Sequence, residues 1–172
     1  CVISNNTSSC AWDNAAYNTY GCAAIVYGGV IENTLITKNS TGGSDAGGGA
    51  ICMTGTGTMI NCTVAGNTMN GYAGVFFNSK TAKAVNCLIC NNTSSHRTEN
   101  YAGVYNGSSV APYFTACVAP VQINGSCHTA AGLGLKDAGH GDYHPILGSV
   151  CLDNGTLDGI TPSALDLDGN AR

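Results

Sequence analysis

The sequence predicts an all-β fold: a right-handed parallel β-helix, or solenoid, of about five coils with a loop-rich C-terminal segment. Three observations lead to this prediction. An asparagine motif repeats along the chain, a glycine-rich motif repeats at a similar interval, and no segment sustains the apolar spacing of an α-helix. We expect the coils over residues 1–130 and a closing segment, packed on the coils, over residues 131–172.

The first motif is an apolar residue, two further residues, an asparagine, and a serine or threonine. Its asparagines are Asn6, Asn39, Asn67 and Asn92, at intervals of 33, 28 and 25 residues, and a weaker copy begins at Cys117. Such a period is typical of solenoids, so we expect the four asparagines in register at one corner of successive coils. Asparagine tolerates the left-handed backbone of a tight corner, and its stacked amides can hydrogen-bond along the column.

The second motif is rich in glycine and alanine. Its copies begin at Ala23, Gly48, Ala73 and Ala102, at intervals of 25, 25 and 29 residues. Aligning these copies predicts the register of a second strand, in which glycine lets the opposite wall approach closely. A phosphate-binding loop is excluded for Gly47 to Ile51, because neither the required lysine nor a helix follows.

Cysteine is abundant, with ten residues in the chain. The single C-x-x-C lacks a second ligand pair, so disulfides in an oxidising setting are favoured over a zinc site. Cys62 and Cys87 fall at the same inward position of adjacent coils, where a disulfide and a stack of reduced thiols both remain open. We expect bridges for most other cysteines, including Cys127 and Cys151. The candidate disulfide or core cysteines are Cys1, Cys10, Cys22, Cys52, Cys62, Cys87, Cys90, Cys117, Cys127 and Cys151.

Asn-x-Ser/Thr sequons recur along the chain and, with the cysteines, predict an extracellular or cell-surface location. The corner asparagines match the sequon but are expected to be buried. Asn106, Asn124 and Asn154 lie in glycine-rich, loop-like contexts and are the candidate N-glycosylation sites. Because the chain starts at Cys1 rather than methionine, we interpret it as a mature or truncated product.

Charge and hydropathy exclude several classes of partner. The net charge is −4 and the six Lys and Arg are scattered, which argues against nucleic-acid binding. The chain has no apolar run of about 18 residues, so we predict no membrane-spanning helix. The acids before residue 130 (Asp13, Glu32, Asp45 and Glu99) fall at different coil positions, so paired catalytic carboxylates are not expected. We therefore predict a protein that is not an enzyme and needs no cofactor.

The C-terminal segment carries two candidate metal patterns. Asp166, Asp168 and Asn170 resemble the start of a calcium loop but lack its later glutamate, so a turn is preferred and calcium is the alternative. His140, Asp142 and His144 form H-x-D-x-H, for which a glycine-flanked loop is preferred over a metal site. We accordingly predict no bound metal.

The motifs support a family resemblance. Over about residues 1–125, the asparagine and Gly-Gly-Ala-Ile motifs resemble the repeats of polymorphic outer-membrane proteins and related secreted bacterial β-helix adhesins. The chain end is similar to the closing segment of many large bacterial surface β-helix proteins, which carry Asp-Leu-Asp-Gly-Asn-x-Arg. Residues 166–172 keep that pattern, whereas Val150 stands where proline is usual. The resemblance implies a structural closing segment.

The functional prediction is an extracellular structural or adhesive protein. A solenoid exposes strand edges at its ends, and Cys1 to Ile3 already match the middle of a coil. We therefore expect head-to-tail self-association, with filament formation as one form of it and glycans as possible partners. The alternative is a carbohydrate-active or carbohydrate-binding β-helix domain.

Overall fold

The structure is a computed structural model. It describes residues 1–8, 22–41, 49–69, 73–94, 101–105, 108–109, 113–119, 125–129, 132–157 and 168. In these ranges the regular structure is β, apart from one 3₁₀ turn at Ala138–His140. Most neighbouring strands are parallel. The all-β prediction is therefore confirmed, and the sheets are compatible with the predicted solenoid.

The largest sheet among the described residues, sheet A, has nine strands. Strands are numbered in chain order. One branch runs β1, β5, β9, β13 and the other β4, β8, β12; both branches meet at β17, which also pairs with β18. Their bounds are β1 Val2–Ser4, β4 Val30–Glu32, β5 Leu35–Thr37, β8 Thr58–Ile60, β9 Thr63–Ala65, β12 Lys83–Val85, β13 Leu88–Cys90, β17 Tyr113–Ala119 and β18 Gly125–Thr129.

Two further sheets complete each repeat. Sheet B has the order β14-β10-β6-β2 and sheet C the order β16-β15-β11-β7-β3, in which only the β15–β16 pair is antiparallel. Sheet B comprises β2 Thr7–Ser8, β6 Ser40–Thr41, β10 Thr68–Met69 and β14 Thr93–Ser94. Sheet C comprises β3 Ala24–Tyr27, β7 Gly49–Thr54, β11 Ala73–Asn78, β15 Tyr101–Tyr105 and β16 Ser108–Ser109.

The register of sheets A and B follows the asparagine motif. Thr7 pairs with Ser40, Ser40 with Thr68, and Thr68 with Thr93, at the intervals of the asparagines that precede them. Leu88 pairs with Val118, which continues the same register into the copy that begins at Cys117. Each strand therefore lies beside its counterpart in the next repeat.

The register predicted from the glycine motif is wrong. The motif aligned Ile51 with Phe76, whereas the structure pairs Ile51 with Val75 and Cys52 with Phe76. A slip of one residue exchanges the inner and outer faces of a strand. Ile51 and Val75 consequently share the core, whereas Cys52 and Phe76 lie on the other face of sheet C.

Tight corners separate the strands of each repeat, and most of them use a residue with positive φ. Between the two branches of sheet A these residues are Asn33, Asn61, Asn86 and Ala116, with φ of 46, 50, 52 and 48°. Before sheet B they are Asn5, Lys38, Gly66 and Asn91. The prediction that the four motif asparagines themselves occupy the left-handed corner is wrong. The preceding residue makes the turn, which leaves the motif asparagine free to point inward.

Among the described residues, the sheets enclose an apolar core cluster. It includes Ile36, Val64 and Ile89 from sheet A, all fully buried, and Val75 and Phe77 from sheet C. Phe77 packs edge-on against Phe114 with ring centroids 5.3 Å apart. Burying such a side chain contributes roughly 1.5–3 kcal/mol, so the column of apolar side chains is a principal source of stability.

The segment 132–157 packs against the outer face of sheet A. It contains β19 Leu135–Asp137 and β20 Asp142–Pro145, an antiparallel pair. Leu133, Leu135, Tyr143, Val150 and Cys151 cover an outward-facing cluster formed by Ala65, Leu88, Cys90 and Val118. We call this segment, residues 132–157, the tail. It lies along the side of the adjacent strands β9, β13 and β17. Within the described residues, no helix has the length and apolar character needed to cross a membrane.

Gly74 provides a test of this packing. A Cβ on Gly74 would lie 2.5 Å from Cγ of the buried Asn92 side chain, whereas a Cβ on Gly29 would meet no atom within 4 Å. We expect Gly74→Ala to lower the free energy of unfolding by about 1–3 kcal/mol through overpacking. Gly29→Ala should change it by about 1 kcal/mol or less. Urea unfolding of both variants measures the difference, and equal effects would contradict the close approach.

Candidate functional site

The four motif asparagines form a hydrogen-bonded ladder through the repeats (Asn6, Asn39, Asn67 and Asn92). Each Nδ2 donates to Oδ1 of the next asparagine, at 3.0 Å from Asn6, 3.0 Å from Asn39 and 2.8 Å from Asn67. The same Oδ1 atoms accept the backbone N–H of the preceding asparagine in the column. Asn39 and Asn67 are each 1% exposed, so these bonds form in a dry environment.

The ladder also satisfies backbone carbonyls of the neighbouring repeat. Nδ2 of Asn39, Asn67 and Asn92 donates to the carbonyl oxygens of Ile3, Ile36 and Val64, at 2.9, 3.0 and 2.9 Å. Each internal amide therefore binds backbone and side chain at once. Asn6 ends the ladder: its side chain is exposed, and Oδ1 has no hydrogen-bond partner among the described residues.

Three cysteines form a second internal column, the thiol column (Cys62, Cys87 and Cys117). Each follows a left-handed corner residue, and the pairing of the residues that come after them places the three cysteines beside one another. The thiols also donate to carbonyl oxygens: Cys62 to Ile60 at 3.2 Å and Cys87 to Val85 at 3.2 Å. Burial raises the pKa of Cys87 well above its ordinary value, and the two flanking sulfurs add to the effect.

Free thiols account for all eight cysteines whose side chains the structure describes. No bond joins Cys62 and Cys87, and the disulfide and the reduced stack both stay predictions. Cys151 has no bonded partner among the described cysteines, and its expected bridge stays a prediction. Cys151 packs beside Cys90 between the tail and sheet A, where burial raises the pKa of Cys90 to about 12. Cys1 is exposed and Cys22 is partly buried. Cys10 and the Cys127 side chain lie outside the described residues.

Among the described residues, the sheets end on one side at the strands of the first repeat. We define the open end as the strands β1, β2, β3 and β4, which are the outermost described strands of their sheets. Four of their apolar side chains are exposed: Val2 at 56%, Ile25 at 60%, Tyr27 at 84% and Val30 at 64%. Outermost strands present unpaired backbone donors and acceptors to whatever lies beside them. This end can therefore accept a further layer of parallel strands.

A cleft of about 340 Å³ lies between the tail and the corners of sheet A. Its polar lining includes Asn61, Thr63, Asn86, Tyr143 and Asn154. Asn86 fastens the tail by two bonds, from Nδ2 to the Thr156 carbonyl at 2.8 Å and from the Thr156 N–H to Oδ1 at 2.9 Å. No carboxylate is among the described residues that line the cleft.

The two histidines of the H-x-D-x-H pattern form three acid–histidine pairs, one at His140 and two at His144. Nδ1 of His140 lies 2.9 Å from Asp137, whereas His144 contacts Asp142 through Nδ1 and Asp168 through Nε2, the latter at 2.8 Å. Lys136 approaches Asp142 at 3.1 Å. Across the described residues, no group of three His, Cys, Asp or Glu is arranged to hold a metal. His144 therefore links the hairpin to Asp168.

The remaining predicted sites are only partly described. Asn154 is partly buried, and its Nδ2 donates to the Val150 carbonyl at 2.7 Å. Asn106 and Asn124 lie outside the described residues. Of the calcium candidates, Asp168 pairs with His144. Asp166 and Asn170 fall outside the described ranges.

The corner between the two branches of sheet A was not identified from the sequence. Asn33, Asn61 and Asn86 recur at 28 and 25 residues, the same intervals as the ladder, and each precedes an inward Thr or Cys. This second asparagine column was visible in the sequence as a short Asn-Thr or Asn-Cys pair. The contact between Asn86 and Thr156 had no such signal, because it joins residues 70 positions apart.

Comparisons with protein-family models, with curated proteins and with solved structures yield no match for this chain. The resemblance to bacterial β-helix surface proteins therefore stays a prediction drawn from the quoted motifs. Any function must rest on the geometry of the described residues.

The ladder predicts a gradient in stability. Asn67→Ala removes the acceptor for Asn39 and the donor to Ile36, leaving buried polar groups unpaired. We expect a loss of about 3 kcal/mol in the free energy of unfolding. Asn6→Ala, at the exposed end of the same ladder, should cost about 1 kcal/mol or less. Chemical denaturation of both proteins checks the gradient, which equal losses would contradict.

His144 predicts a pH dependence in how the tail is held. Asp142 and Asp168 raise the pKa of His144 above 6.5, and the His144 contact lowers the pKa of Asp142 to about 2. The His144 contribution is therefore complete below pH 6.5 and is lost as pH rises through the raised pKa. The Asp142 contribution is present above pH 3.8 and is lost as pH falls toward about 2.

An NMR titration of the His144 imidazole measures this effect. Asp168→Asn should bring the His144 midpoint closer to 6.5, because one of its two carboxylate partners is gone. Asp153→Asn, a change elsewhere in the tail, should leave the midpoint where it is. An unchanged midpoint in Asp168→Asn would show that Asp168 does not hold His144.

Proposed function

We propose that this chain is an extracellular structural or adhesive protein, built as a right-handed parallel β-helix whose copies stack end to end. The open end is the observation that carries the proposal. Its four outermost strands combine exposed apolar side chains with a backbone edge, which is the composition of an interface that receives further strands.

A second copy is the occupant that the open end fits best. In sheet B all strands are parallel, with β2 outermost at one side and β14 at the other among the described residues. Placing β14 of one copy beside β2 of the next would continue the sheet in the same direction. It would also extend the outward hydroxyl column, in which Thr7 contacts Ser40 at 3.1 Å and Thr93 contacts Thr68 at 3.4 Å.

The end of the ladder supports the same geometry. Each of the other three Oδ1 atoms of the ladder accepts two hydrogen bonds from the preceding asparagine. Oδ1 of Asn6 occupies the equivalent position at the end of the column. A neighbouring chain that presents amide donors at this point would complete the column. Head-to-tail contacts that do not close into a ring propagate into filaments. The extracellular location and the glycans belong to the proposal on the strength of the cysteine and sequon content.

Stacking is tested through the size of the protein in solution. Light scattering across a concentration series should show species larger than the 17.4 kDa chain, and negative-stain images should show rods. Val2→Lys with Val30→Lys places charge on two outermost strands and should reduce the associated fraction about tenfold or more. Leu147→Lys, at a 98% exposed position of the segment 132–157, is the matched control. A wild-type protein that stays monomeric at all concentrations would overturn the proposal.

A further inference from the structure

The cleft between the tail and the corners of sheet A has an uncharged lining. None of the described residues around it is an aspartate, glutamate, lysine, arginine or histidine. Leu88 and Val118 contribute buried apolar surface, whereas Asn61, Thr63 and Asn154 contribute polar groups and are partly exposed. A charged ligand would lose hydration there without gaining a partner of opposite charge, so the lining favours a neutral ligand.

Asn86 shows what an asparagine at this corner can bind. Its Nδ2 donates to the Thr156 carbonyl at 2.8 Å, and its Oδ1 accepts the Thr156 N–H at 2.9 Å. Asn61 occupies the same corner of the preceding repeat, because Ile60 and Val85 pair and the two asparagines have φ of 50 and 52°. The Asn61 side chain makes no hydrogen bond to any described residue. It therefore offers a ligand in the cleft the same combination of donor and acceptor.

Two more polar groups in the lining have no hydrogen-bond partner within the described part of the chain. They are the hydroxyl of Thr63, two residues after Asn61, and Oδ1 of Asn154, whose Nδ2 alone is engaged, with the Val150 carbonyl. Asn61 and Thr63 belong to sheet A and its corner, whereas Asn154 belongs to the tail. The cleft therefore brings together hydrogen-bonding groups from both of the parts that form it.

We propose that this cleft is a binding site for one neutral sugar ring. Adjacent ring hydroxyls match Asn61, because one can donate to Oδ1 while its neighbour accepts from Nδ2. Further hydroxyls match Thr63 and Asn154, and the C–H face of the ring matches the apolar part of the lining. The volume of about 340 Å³ is near the lower end of small-ligand sites, roughly 300–1,000 Å³, which suits one ring. An extended peptide fits less well, because its donors and acceptors point alternately to opposite sides.

A ligand held in this way would connect the tail to sheet A. It would add to the two hydrogen bonds by which Asn86 already holds Thr156. The site lies within one chain, so this inference does not depend on end-to-end stacking. A failure to bind sugar would leave stacking unaffected, and a protein that stays monomeric would leave the cleft as it is.

The test is an NMR titration of the full chain, produced in a host that adds no N-linked glycans so that Asn154 is unmodified. The probes are the methyl glycosides of glucose, galactose and mannose, and N-acetylglucosamine, each added up to about 50 mM. At least one should shift the side-chain amide signals of Asn61 in a saturable way, with a dissociation constant of about 1 mM for a ligand of this size. Tri-alanine, glucuronate and cyclohexanol represent a peptide, an anion and an apolar ring, and each should shift these signals far less.

Matched variants locate the site. Asn61→Gly removes the amide but keeps the left-handed backbone, and it should weaken binding about tenfold or more through two lost hydrogen bonds. Thr63→Val, which removes one hydroxyl, should weaken binding about threefold. Asn33→Gly makes the same change at the equivalent corner one repeat earlier, outside the described lining, and should leave binding within about twofold of wild type. The proposal is overturned if no probe sugar binds, if Asn61→Gly binds sugar as tightly as wild type, or if tri-alanine or cyclohexanol shifts the Asn61 signals as strongly.

Discussion

The buried amide column is the interaction on which the repeats depend. Every repeat must change direction within the protein, and each corner leaves backbone donors and acceptors facing the core. Water cannot reach them there, so an unpaired group would cost about 1–3 kcal/mol. Asn39 and Asn67 solve this problem by binding backbone and side chain of the neighbouring repeats together. The thiol column performs a weaker version of the same task at the other corner, where Cys62 and Cys87 donate to carbonyl oxygens.

Stability is consequently distributed along the stack rather than uniform. Internal strands such as β9 and β13 have a neighbour on both sides, and their inward Val64 and Ile89 are fully buried. At the open end the equivalent Ile3 is only partly buried. The outermost described strands have a neighbour on one side only, so we expect local opening to begin there. The tail reinforces the opposite region, because it covers Leu88 and Val118 of β13 and β17.

The sequence predicts the all-β class, and it predicts the ladder register well because a buried amide needs a partner at the same level of the neighbouring strands. That requirement keeps the position of the asparagine constant relative to its strands even where the intervals vary. The register predicted from the glycine motif was wrong because glycine has no side chain that shows which face of the strand it lies on. The motif can therefore be aligned one residue out of register, as happened at Ile51, without any visible mismatch. The left-handed residue varies in type, from Asn5 to Lys38 to Gly66. A search for identical residues could therefore not locate the left-handed position of each corner.

The ladder has a direction, since each Nδ2 donates toward the following repeat and each Oδ1 accepts from the preceding one. Every internal unit thus offers the same pair of connections to its two sides. A gene that gained or lost one whole unit would keep the column continuous, whereas an insertion or deletion between the motif asparagine and its flanking strands would break it. The described intervals of 33, 28 and 25 residues show where such freedom lies: segments between strands vary in length, and the amide connection does not. Length variation by whole modules is therefore the evolutionary path that this architecture leaves open.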